Sequence, residues 1–245
     1  ELTAGIAHEI QNPLNFVNNF SEVNLELIDE VEEEIKKGNH EEVKIILNDI
    51  KENENRINQH GRRAESIVKS MLFHSRGNSG QKELTDMNAL CDEILRLSYH
   101  GFRAKDKSFN ADFRLKAREH LPKIKVVPQD MGRALLNLIN NAFYSVNEKA
   151  KKETGDYKPF LMVKTQKIMD IIEIRVQDNG PGIPKEIKDK IFQPFFTTKP
   201  SGEGTGLGLS LSYDIINKGH GGKLDLESRP GEGTTFIIHL PVVEQ

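Results

Sequence analysis

The residues that could take part in catalysis or ligand binding are concentrated in one stretch at the start of the chain and in several stretches of its second half. His8 and Glu9 stand side by side in "GIAHEIQNPL", and Asn137 and Asn141 lie four residues apart in "NLINNA". Asp178 opens "DNGPGI", which "FQPFFTTK" and "GEGTGLGLS" follow. An imidazole beside a carboxylate can act as a nucleophile, amide oxygens can bind a cation, and glycine-rich backbone can wrap phosphates. These residue types together indicate a site for a phosphate-bearing ligand.

The spacing around His8 disfavours a zinc-protease interpretation. Such a helix needs His-Glu-x-x-His, so that two imidazoles one turn apart share the metal. In this chain, Asn12 occupies the position one turn after His8. Cys91, the single cysteine, falls in a stretch with helical periodicity. We expect it to be a small buried apolar residue, which excludes a disulfide framework and a cysteine-based zinc site.

The asparagine cluster follows Pro128, a residue that favours the first turn of a helix. Asn137 and Asn141 would then share one face of that helix. An amide carbonyl oxygen suits Mg2+ that keeps most of its waters and bridges nucleotide phosphates. An ordinary exposed polar face is an equally good interpretation of this motif taken alone.

"DNGPGI" is placed at the end of the predicted strand "IIEIRVQ". Its two glycines let the backbone approach a planar ligand, and its leading carboxylate can accept a hydrogen bond from an exocyclic amine. Asp-Asn-Gly is also ordinary turn chemistry, so the motif is weak by itself.

The third cluster has glycines at positions 202, 204, 206 and 208, directly before a predicted apolar helix. Backbone amides of such a loop can wrap phosphates, and the start of the helix adds a positive end. A flexible linker is the alternative, although a linker does not usually run straight into an apolar helix. The spacing fits neither a Walker P-loop nor a Rossmann fingerprint.

Two elements precede these motifs. Apolar residues recur at steps of three and four from Leu2 to about Ile35, and again from Val43 to Met71, which predicts two long amphipathic helices. In the second helix an apolar seam repeats every seven residues. A turn signal at "KKGNH" indicates an antiparallel hairpin, and pairing with a second copy into a four-helix bundle would cover its apolar stripe.

The pattern changes from Gln81 onward. "FNADFRLK", "DIIEIRVQD" and "TTFIIHLP" alternate as half-buried strands do, and helical patterns fall at about 86–102, 129–151 and 206–218. This order predicts an α+β sandwich with helices on one face of a largely antiparallel sheet. The Gly/Ser-rich stretch at 77–81 marks the expected boundary.

Five of the motifs occur in an order and spacing that resembles the ATP-binding domain shared by sensor histidine kinases, gyrase-type topoisomerases, MutL-type repair proteins and heat-shock chaperones. They are the asparagine cluster, "DNGPGI", "FQPFFTTK", "GTGLGL" and the late "GEGTTF". "HEIQNPL" resembles the phosphoacceptor box of the histidine kinases alone. The chain is thereby similar to the catalytic core of a two-component histidine kinase. This resemblance implies a dimeric helical hairpin at 1–78 and a Bergerat-type α/β sandwich that binds ATP at 79–245.

The resemblance also implies roles for individual residues. His8 would take the γ-phosphoryl group from ATP, with Glu9 orienting or deprotonating its imidazole, and Asn12 would align water for dephosphorylating the partner. Asn141 would be the Mg2+ ligand, with Asn137 as its neighbour near the phosphates.

The remaining implied positions form the nucleotide pocket and its lid. Asp178 would read the adenine amine, and Thr234 or Thr235 would support that carboxylate through water. Lys199 is a candidate phosphate contact, although a solvated lysine is nearly as good an interpretation. Seven positions in the glycine-rich motifs are also implied in nucleotide binding. They are Gly180, Gly182, Gly204, Thr205, Gly206, Leu207 and Gly208.

The chain departs from the family pattern after the asparagine cluster. Many relatives carry a lysine there, whereas this chain has Phe143 and Tyr144, which leaves the phosphate contacts on that helix open. Relatives that act as ATP-driven clamps place a glutamate where this chain has Asn137, so the kinase is favoured over a clamp. A degenerate kinase that acts as a dimeric ATP-binding scaffold, or mainly as a phosphatase, is the other alternative.

The expected partners are a second copy of the chain and the receiver domain of a response regulator, with ATP and Mg2+ as cofactors. The net charge of −3 and the lack of a Lys/Arg-rich block argue against nucleic acid. No apolar run reaches the roughly 20 residues that cross a bilayer, so we expect a cytoplasmic segment without direct membrane contact. The start at Glu1, inside a helical pattern, suggests an upstream sensor region and a parent protein that could be membrane-anchored.

Overall fold

The computed structural model describes residues 2–75, 80–153, 155–200 and 204–242. The chain divides into two compact units. One comprises Glu1–Gly77 with Thr197–Thr205, and the other comprises Asn78–Phe196 with Gly206–Gln245. Within the described residues, each helix is too short or too polar to cross a bilayer.

The first unit contains the two predicted long helices, α1 (Leu2–Lys37) and α2 (His40–Ser75). Gly38 between them has a φ of 79°, a left-handed conformation that glycine adopts without steric cost. The amide of Asn39 donates to the Glu34 carbonyl at 3.0 Å, and the amide of Gly38 donates to the Ile35 carbonyl at 3.1 Å. These bonds satisfy carbonyls that the end of α1 would otherwise leave unpaired.

Contacts between α1 and α2 run in opposite order along the two helices, which makes the hairpin antiparallel. The Asn24 amide donates to Glu54 at 2.9 Å and accepts from Asn53 at 2.9 Å, and it is buried. About two turns before Asn24, Phe16 stacks on His60 with ring centroids 4.6 Å apart. The buried apolar residues of α2 are Ile46, Ala64 and Ile67.

The second unit holds a five-stranded sheet and a separate two-stranded sheet. In chain order its strands are β1 (Glu83–Thr85), β2 (Asp112–Lys116), β3 (Ile124–Val126), β4 (Phe160–Ile168), β5 (Ile171–Asp178), β6 (Lys223–Arg229) and β7 (Gly233–Pro241). The larger sheet has the order β2-β4-β5-β7-β6, and β1 pairs with β3. Only the β2–β4 pair is parallel among the described strands. The predicted, largely antiparallel sheet is confirmed.

Three α-helices accompany the sheet: α3 (Met87–Lys105), α4 (Pro128–Lys152) and α5 (Gly208–Tyr213). The carboxylate of Asp86 caps α3 by accepting from the amides of Asn88 and Ala89. Pro128 begins α4 as the sequence predicts. The helix predicted over 206–218 is shorter as an α-helix, because it continues as a π-helical segment, Asp214–Gly219.

The core lies between α3, α4 and one face of the sheet. Alternate residues of the central strands are buried there, as the period-two pattern predicts. They pack against a continuous buried stripe of α4, and Cys91 is also buried in this core, as expected. Burial raises the pKa of the Cys91 thiol to about 12, so the thiol stays protonated. The fully buried large side chains of α4 are Met131, Leu135, Leu138, Ile139 and Phe143.

The first strand of the larger sheet begins later than predicted. Phe109 and Ala111 are buried, as their alternation suggests, but pairing begins only at Asp112, opposite Phe160 of β4. The residues before Asp112 pack into the core without joining the hydrogen-bonded ladder. The alternating pattern therefore predicts their burial correctly but places the start of the strand too early.

Candidate functional site

Asp178 is the last residue of β5 and lies opposite Thr234 of β7. Its side chain is only 4% exposed, and its carboxylate accepts a hydrogen bond from the amide of Gly180 at 2.8 Å. The backbone of Thr234 donates to the same carboxylate. Strand β5 therefore ends in an acceptor group that is held in place by the turn that follows it.

Burial is the largest influence on the ionisation of Asp178. It raises the pKa of this carboxyl to about 6, against the lowering effects of the Gly180 and Thr234 hydrogen bonds and of the Lys149 charge. The group is therefore ionised at neutral pH but becomes protonated in mild acid. An ionised buried carboxylate is a strong acceptor for an amine that enters the site.

Two glycines of "DNGPGI" occupy positions that a side chain would block. A Cβ on Gly180 would lie 2.8 Å from the Asp178 carboxylate oxygen and 2.9 Å from Ser145 Cβ. Gly182 has a φ of 73°, and a Cβ there would lie 2.1 Å from the carbonyl oxygen of Arg229. The loop after β5 therefore packs directly against α4 and against the end of β6, which is a structural reason for both glycines.

The asparagines of "NLINNA" lie on α4, but they have different surroundings. The amide nitrogen of Asn137 donates to the carbonyl of Gly208 at 3.1 Å and lies 3.4 Å from the Ser212 hydroxyl. Asn140 instead accepts from Ser98 of α3 at 2.5 Å. Asn141 is half-buried on the same helix. The sequence predicted the shared face of Asn137 and Asn141, and Asn137 connects that face to the start of α5.

The base of the glycine-rich loop is closed by a backbone contact. Gly206 has a φ of 67°, and a Cβ there would lie 2.2 Å from the carbonyl carbon of Phe195. Phe195 itself has a φ of 67°, which is unusual for a residue with a side chain. Leu207 caps α5, where its carbonyl accepts from Ser210 at 3.0 Å. The two ends of the loop therefore meet at Phe195 and Gly206.

Residues between those ends form a turn of their own. The amide of Lys199 donates to the Thr197 hydroxyl at 3.1 Å. A Cβ on Gly204 would lie 2.7 Å from that hydroxyl oxygen. Lys199, the candidate phosphate contact, is half-buried in this segment, and Thr205 belongs to the same segment.

The hydroxyl of Thr234 has a direct partner, because it lies 3.0 Å from the hydroxyl of Ser228. Ser228 also bonds the carbonyl of Gly233 at 2.9 Å and accepts from the amide of Ile183 at 2.8 Å. The expected support of Asp178 by Thr234 or Thr235 through water stays a prediction, and the backbone of Thr234 adds a direct hydrogen bond to the same carboxylate. Ser228 was not identified from the sequence, since a single serine in a strand carries no spacing signal.

Two further residues escaped the sequence analysis. Tyr157 donates to the Asn179 side-chain oxygen at 2.9 Å, and Lys149 reaches three carbonyls of the loops around Asp178. Both act on residues distant in sequence, so no local pattern could have indicated them.

His220 has a structural position in this unit. Its Nε2 accepts from the amide of Val127 at 3.0 Å, and its Nδ1 lies 2.8 Å from the carbonyl of Ile215. The ring therefore joins the start of α4 to the π-helical segment. Phe143, at one of the positions where relatives carry a lysine, is fully buried in the core.

His8, Glu9 and Asn12 all lie on α1. The side chains of His8 and Glu9 are outside the part of the chain that the structure describes. Asn12 is exposed, and Pro13 lies within the helix.

Comparison with known proteins identifies the family. The sequence profile of the "Histidine kinase-, DNA gyrase B-, and HSP90-like ATPase" family matches residues 126–244. The signal transduction histidine-protein kinase AtoS of Escherichia coli K12 is 32% identical over all of this chain and 35% of its own length. The nucleotide-free catalytic domain of histidine kinase ThkA is 33% identical, with a TM-score of 0.50 over 65% of this chain and 96% of that domain.

The chain belongs to the histidine kinase family. A structure of histidine kinase ThkA in complex with the response regulator protein TrrA matches 99% of this chain, with a TM-score of 0.62 and 27% identity, and the match spans 61% of the ThkA chain. The likeness thus includes the helical hairpin as well as the ATPase fold. The chain spans 35% of AtoS and 45% of the sensor histidine kinase ZraS of Escherichia coli K12.

Proposed function

We propose that this chain is the catalytic core of an ATP-dependent protein histidine kinase. It binds ATP in the α/β unit, phosphorylates itself on His8, and passes the phosphoryl group to an aspartate in the receiver domain of a response regulator. The named relatives are histidine kinases, which favours this function over an ATP-driven clamp or an inactive scaffold.

The observation that carries the proposal is the buried carboxylate of Asp178 at the end of β5. It is ionised at neutral pH, it is oriented by Gly180 and Thr234, and it lies beside a loop whose glycines bring backbone close to the site. Burial disfavours the ionised form of this carboxylate, and its two backbone hydrogen bonds offset part of that cost. An exocyclic amine of adenine can donate a further hydrogen bond to it.

The residues of α4 fit a magnesium ion in the manner the family predicts. Asn141 supplies a hard amide oxygen on a half-buried face, and Mg2+ prefers to keep several waters and to bind through one or two protein oxygens and the phosphates. The ion would neutralise phosphate charge. Asn137 is held by Gly208, so it positions the start of α5 beside that face.

The transfer step needs an in-line approach of the histidine to the nucleotide. A ring nitrogen of His8 attacks the γ-phosphorus, the bond from that phosphorus to the β,γ-bridging oxygen breaks, and ADP leaves. Glu9 accepts the proton released from the imidazole. A carboxylate oxygen of the receiver aspartate then attacks the phosphorus of the phosphohistidine and the P–N bond breaks, while Glu9 returns its proton to the departing ring nitrogen, which restores the neutral imidazole.

Two further features belong to this proposal. Asn12 is exposed one turn after His8, where its amide can orient water for dephosphorylation of the regulator. A homodimer through the hairpin would cover the apolar side chains that α1 and α2 expose.

The direct test is phosphorylation of the purified chain. After incubation with ATP and Mg2+, peptide mapping should find an acid-labile phosphate on His8. The variant His8→Ala should bind a non-hydrolysable ATP analogue normally and acquire no label, whereas His40→Ala, at an exposed histidine of the same hairpin, should be labelled like wild type. Labelling of His8→Ala at the wild-type level would exclude the assignment.

The nucleotide pocket is tested separately with Asp178→Asn. This variant should lose about tenfold or more in affinity for the analogue, the effect of removing a charged hydrogen-bond acceptor. Wild-type affinity should also fall as the pH drops through about 6, where Asp178 becomes protonated. Equal affinities of wild type and Asp178→Asn would show that the adenine site is elsewhere.

A further inference from the structure

Lys149, near the end of α4, has an unusual set of partners for a lysine. Its ammonium group donates to the backbone carbonyls of Asn179 at 3.2 Å, Gly180 at 3.4 Å and Gly231 at 3.0 Å. Its side chain is 15% exposed. Lys151, two residues later, pairs with Glu148 at 3.1 Å and is 57% exposed. The helix therefore ends with one lysine turned inward and another in an ordinary surface ion pair.

The three carbonyls belong to two loops that are remote in sequence. Asn179 and Gly180 follow Asp178 directly, and Gly231 lies in the turn between β6 and β7. An ammonium group has three donors and no acceptor, so a single side chain can hold both loops against α4. A further bond joins the same loops, because the amide of Gly231 donates to the carbonyl of Pro181 at 2.7 Å.

Tyr157 supports this arrangement from the segment before β4. The Lys149 ammonium lies 4.9 Å from the centre of the Tyr157 ring, a cation–π distance. The Tyr157 hydroxyl donates to Asn179, and the Asn179 side chain in turn accepts from the amide of Phe160 and donates to the carbonyl of Lys158. Asn179, the second residue of "DNGPGI", is therefore fully engaged in holding the loop.

We infer that Lys149 is a positioning residue for nucleotide binding: it fixes the loop after Asp178 and supplies the positive charge that favours the ionised carboxylate. This inference rests on the proposed role of Asp178 in reading adenine. Lys149 acts through backbone carbonyls and through Asp178, and it is not assigned a contact with phosphate. It is separate from the lysine that many relatives carry just after the asparagine cluster, where this chain has Phe143 and Tyr144.

The electrostatic part of the role follows from the charged groups near Asp178. Lys149 lowers the pKa of Asp178, and it does so against the larger effect of burial. Tyr157 and Glu153 are titratable groups that interact with Asp178 or Lys149. Glu153 lies 3.8 Å from Lys149, and the charges of Asp178 and Glu153 add to burial in raising the pKa of the Tyr157 hydroxyl, so Tyr157 remains a neutral donor. Removing the Lys149 charge should move the pKa of Asp178 further upward.

The test is the pH dependence of binding of a non-hydrolysable ATP analogue to the full chain, measured by calorimetry between about pH 5 and pH 8. Lys149→Met and Lys149→Gln both remove the charge, so the test stands if either variant folds, as checked by thermal unfolding. We expect about tenfold weaker binding at pH 7.5 and loss of binding at a higher pH than in wild type. Lys149→Arg should restore the wild-type pH midpoint but not the full affinity, because its planar donors do not match three carbonyls arranged for an ammonium.

Lys151→Met is the matched control, since it removes the same charge from the same end of α4 without touching the loop. If folded Lys149→Met or Lys149→Gln binds like Lys151→Met at every pH, Lys149 has no such role. A loss of affinity by the same factor at every pH, with an unchanged pH midpoint, would also overturn the inference. The hydrogen bonds of Lys149 to the loops would then explain the loss without any effect of its charge on Asp178. Asp178→Asn, measured in parallel, distinguishes failure of the Lys149 inference from failure of the proposed adenine pocket. If Asp178→Asn binds the analogue like wild type, the proposed adenine pocket is wrong, whatever the result for the Lys149 variants.

Discussion

The helical hairpin and the α/β unit have equally regular apolar patterns, yet they bury them to different degrees. Of the 15 large apolar side chains that are exposed among the described residues, nine lie on α1 and α2. In contrast, α4 alone buries nine residues. A periodic stripe therefore indicates which face of a helix is apolar, but it does not show whether the same chain covers that face. The α/β unit buries most of its apolar pattern itself, whereas the hairpin leaves much of its own exposed.

Tyrosine fluorescence distinguishes the two units experimentally. The four tyrosines are Tyr99, Tyr144, Tyr157 and Tyr213, and the chain has no tryptophan. All four belong to the α/β unit, whereas far-ultraviolet circular dichroism reports on both units. Unfolding followed by the two signals can therefore assign an effect to one of them.

The largest effect should come from Phe143→Ala. Phe143 is fully buried, and its ring contacts those of Tyr99, Phe102, Phe109 and Phe113. Loss of this ring should lower the free energy of unfolding by about 3–5 kcal/mol in urea titrations followed by tyrosine fluorescence. Phe16→Ala, at a half-exposed ring of the hairpin, is the matched substitution and should leave that fluorescence transition unchanged. Equal effects of the two on fluorescence would contradict the independence of the α/β core.

Asp178→Asn should raise the stability of the nucleotide-free α/β unit. The pKa of Asp178 is raised from 3.8 to about 6 in the folded state, so its contribution to stability is full below pH 3.8 and is lost as the pH rises through about 6. At pH 7.5 the neutral amide should therefore gain up to about 3 kcal/mol, and near pH 4 the gain should disappear. Thermal unfolding at the two pH values measures this difference. If Asp178→Asn is less stable than wild type at pH 7.5, burial of the ionised carboxylate does not destabilise the folded state.

Asn24→Ala tests the polar part of the hairpin. It removes the partner of Glu54 and Asn53 at a buried position, which should cost about 1–2 kcal/mol of hairpin stability. The change should be visible by circular dichroism and absent from tyrosine fluorescence. Asn19→Ala, at an exposed position of the same helix, should change neither signal.

The smallest effect on unfolding should come from Leu25→Ser. Leu25 is 64% exposed on α1, so the fluorescence-monitored free energy should change by less than about 0.5 kcal/mol. Sedimentation should nevertheless show a larger monomer fraction than in wild type, if the hairpin associates through its exposed apolar residues. An unchanged monomer fraction would remove Leu25 from the association surface.

The sequence predicted the elements whose signal is local. The two long helices, the reversal at Gly38, the start of α4 at Pro128 and the strand leading to Asp178 all follow from periodicity, turn chemistry and helix-start preferences. Each of these signals lies within a few residues of the feature that it predicts. The same is true of the pairing of Asn137 with Asn141 on one helical face.

Features that depend on long-range packing could not be predicted in this way. The partners of Lys149 include a carbonyl 82 residues away, and the Ser228 hydroxyl meets a loop amide 45 residues away. The parallel pairing of β2 with β4 and the π-helical end of α5 also depend on neighbours that no window of sequence contains. The chemistry of Asp178 was visible as a carboxylate in a turn, but its raised pKa required the burial that only the fold provides.

The strand order has a consequence for how the chain tolerates change in length. Strands β4 and β5 are joined by a short turn at residues 169–170, and β6 and β7 by residues 230–232. The β5–β7 pairing closes a long connection, which leaves β5 at residue 179 and returns at residue 222, and the parallel β2–β4 pairing closes another over residues 117–159. Because the entropy of loop closure grows only logarithmically, doubling such a connection costs only about 0.6 kcal/mol. Insertions between residues 179 and 222 can reshape the loop after Asp178 while both hairpins of the sheet keep their register.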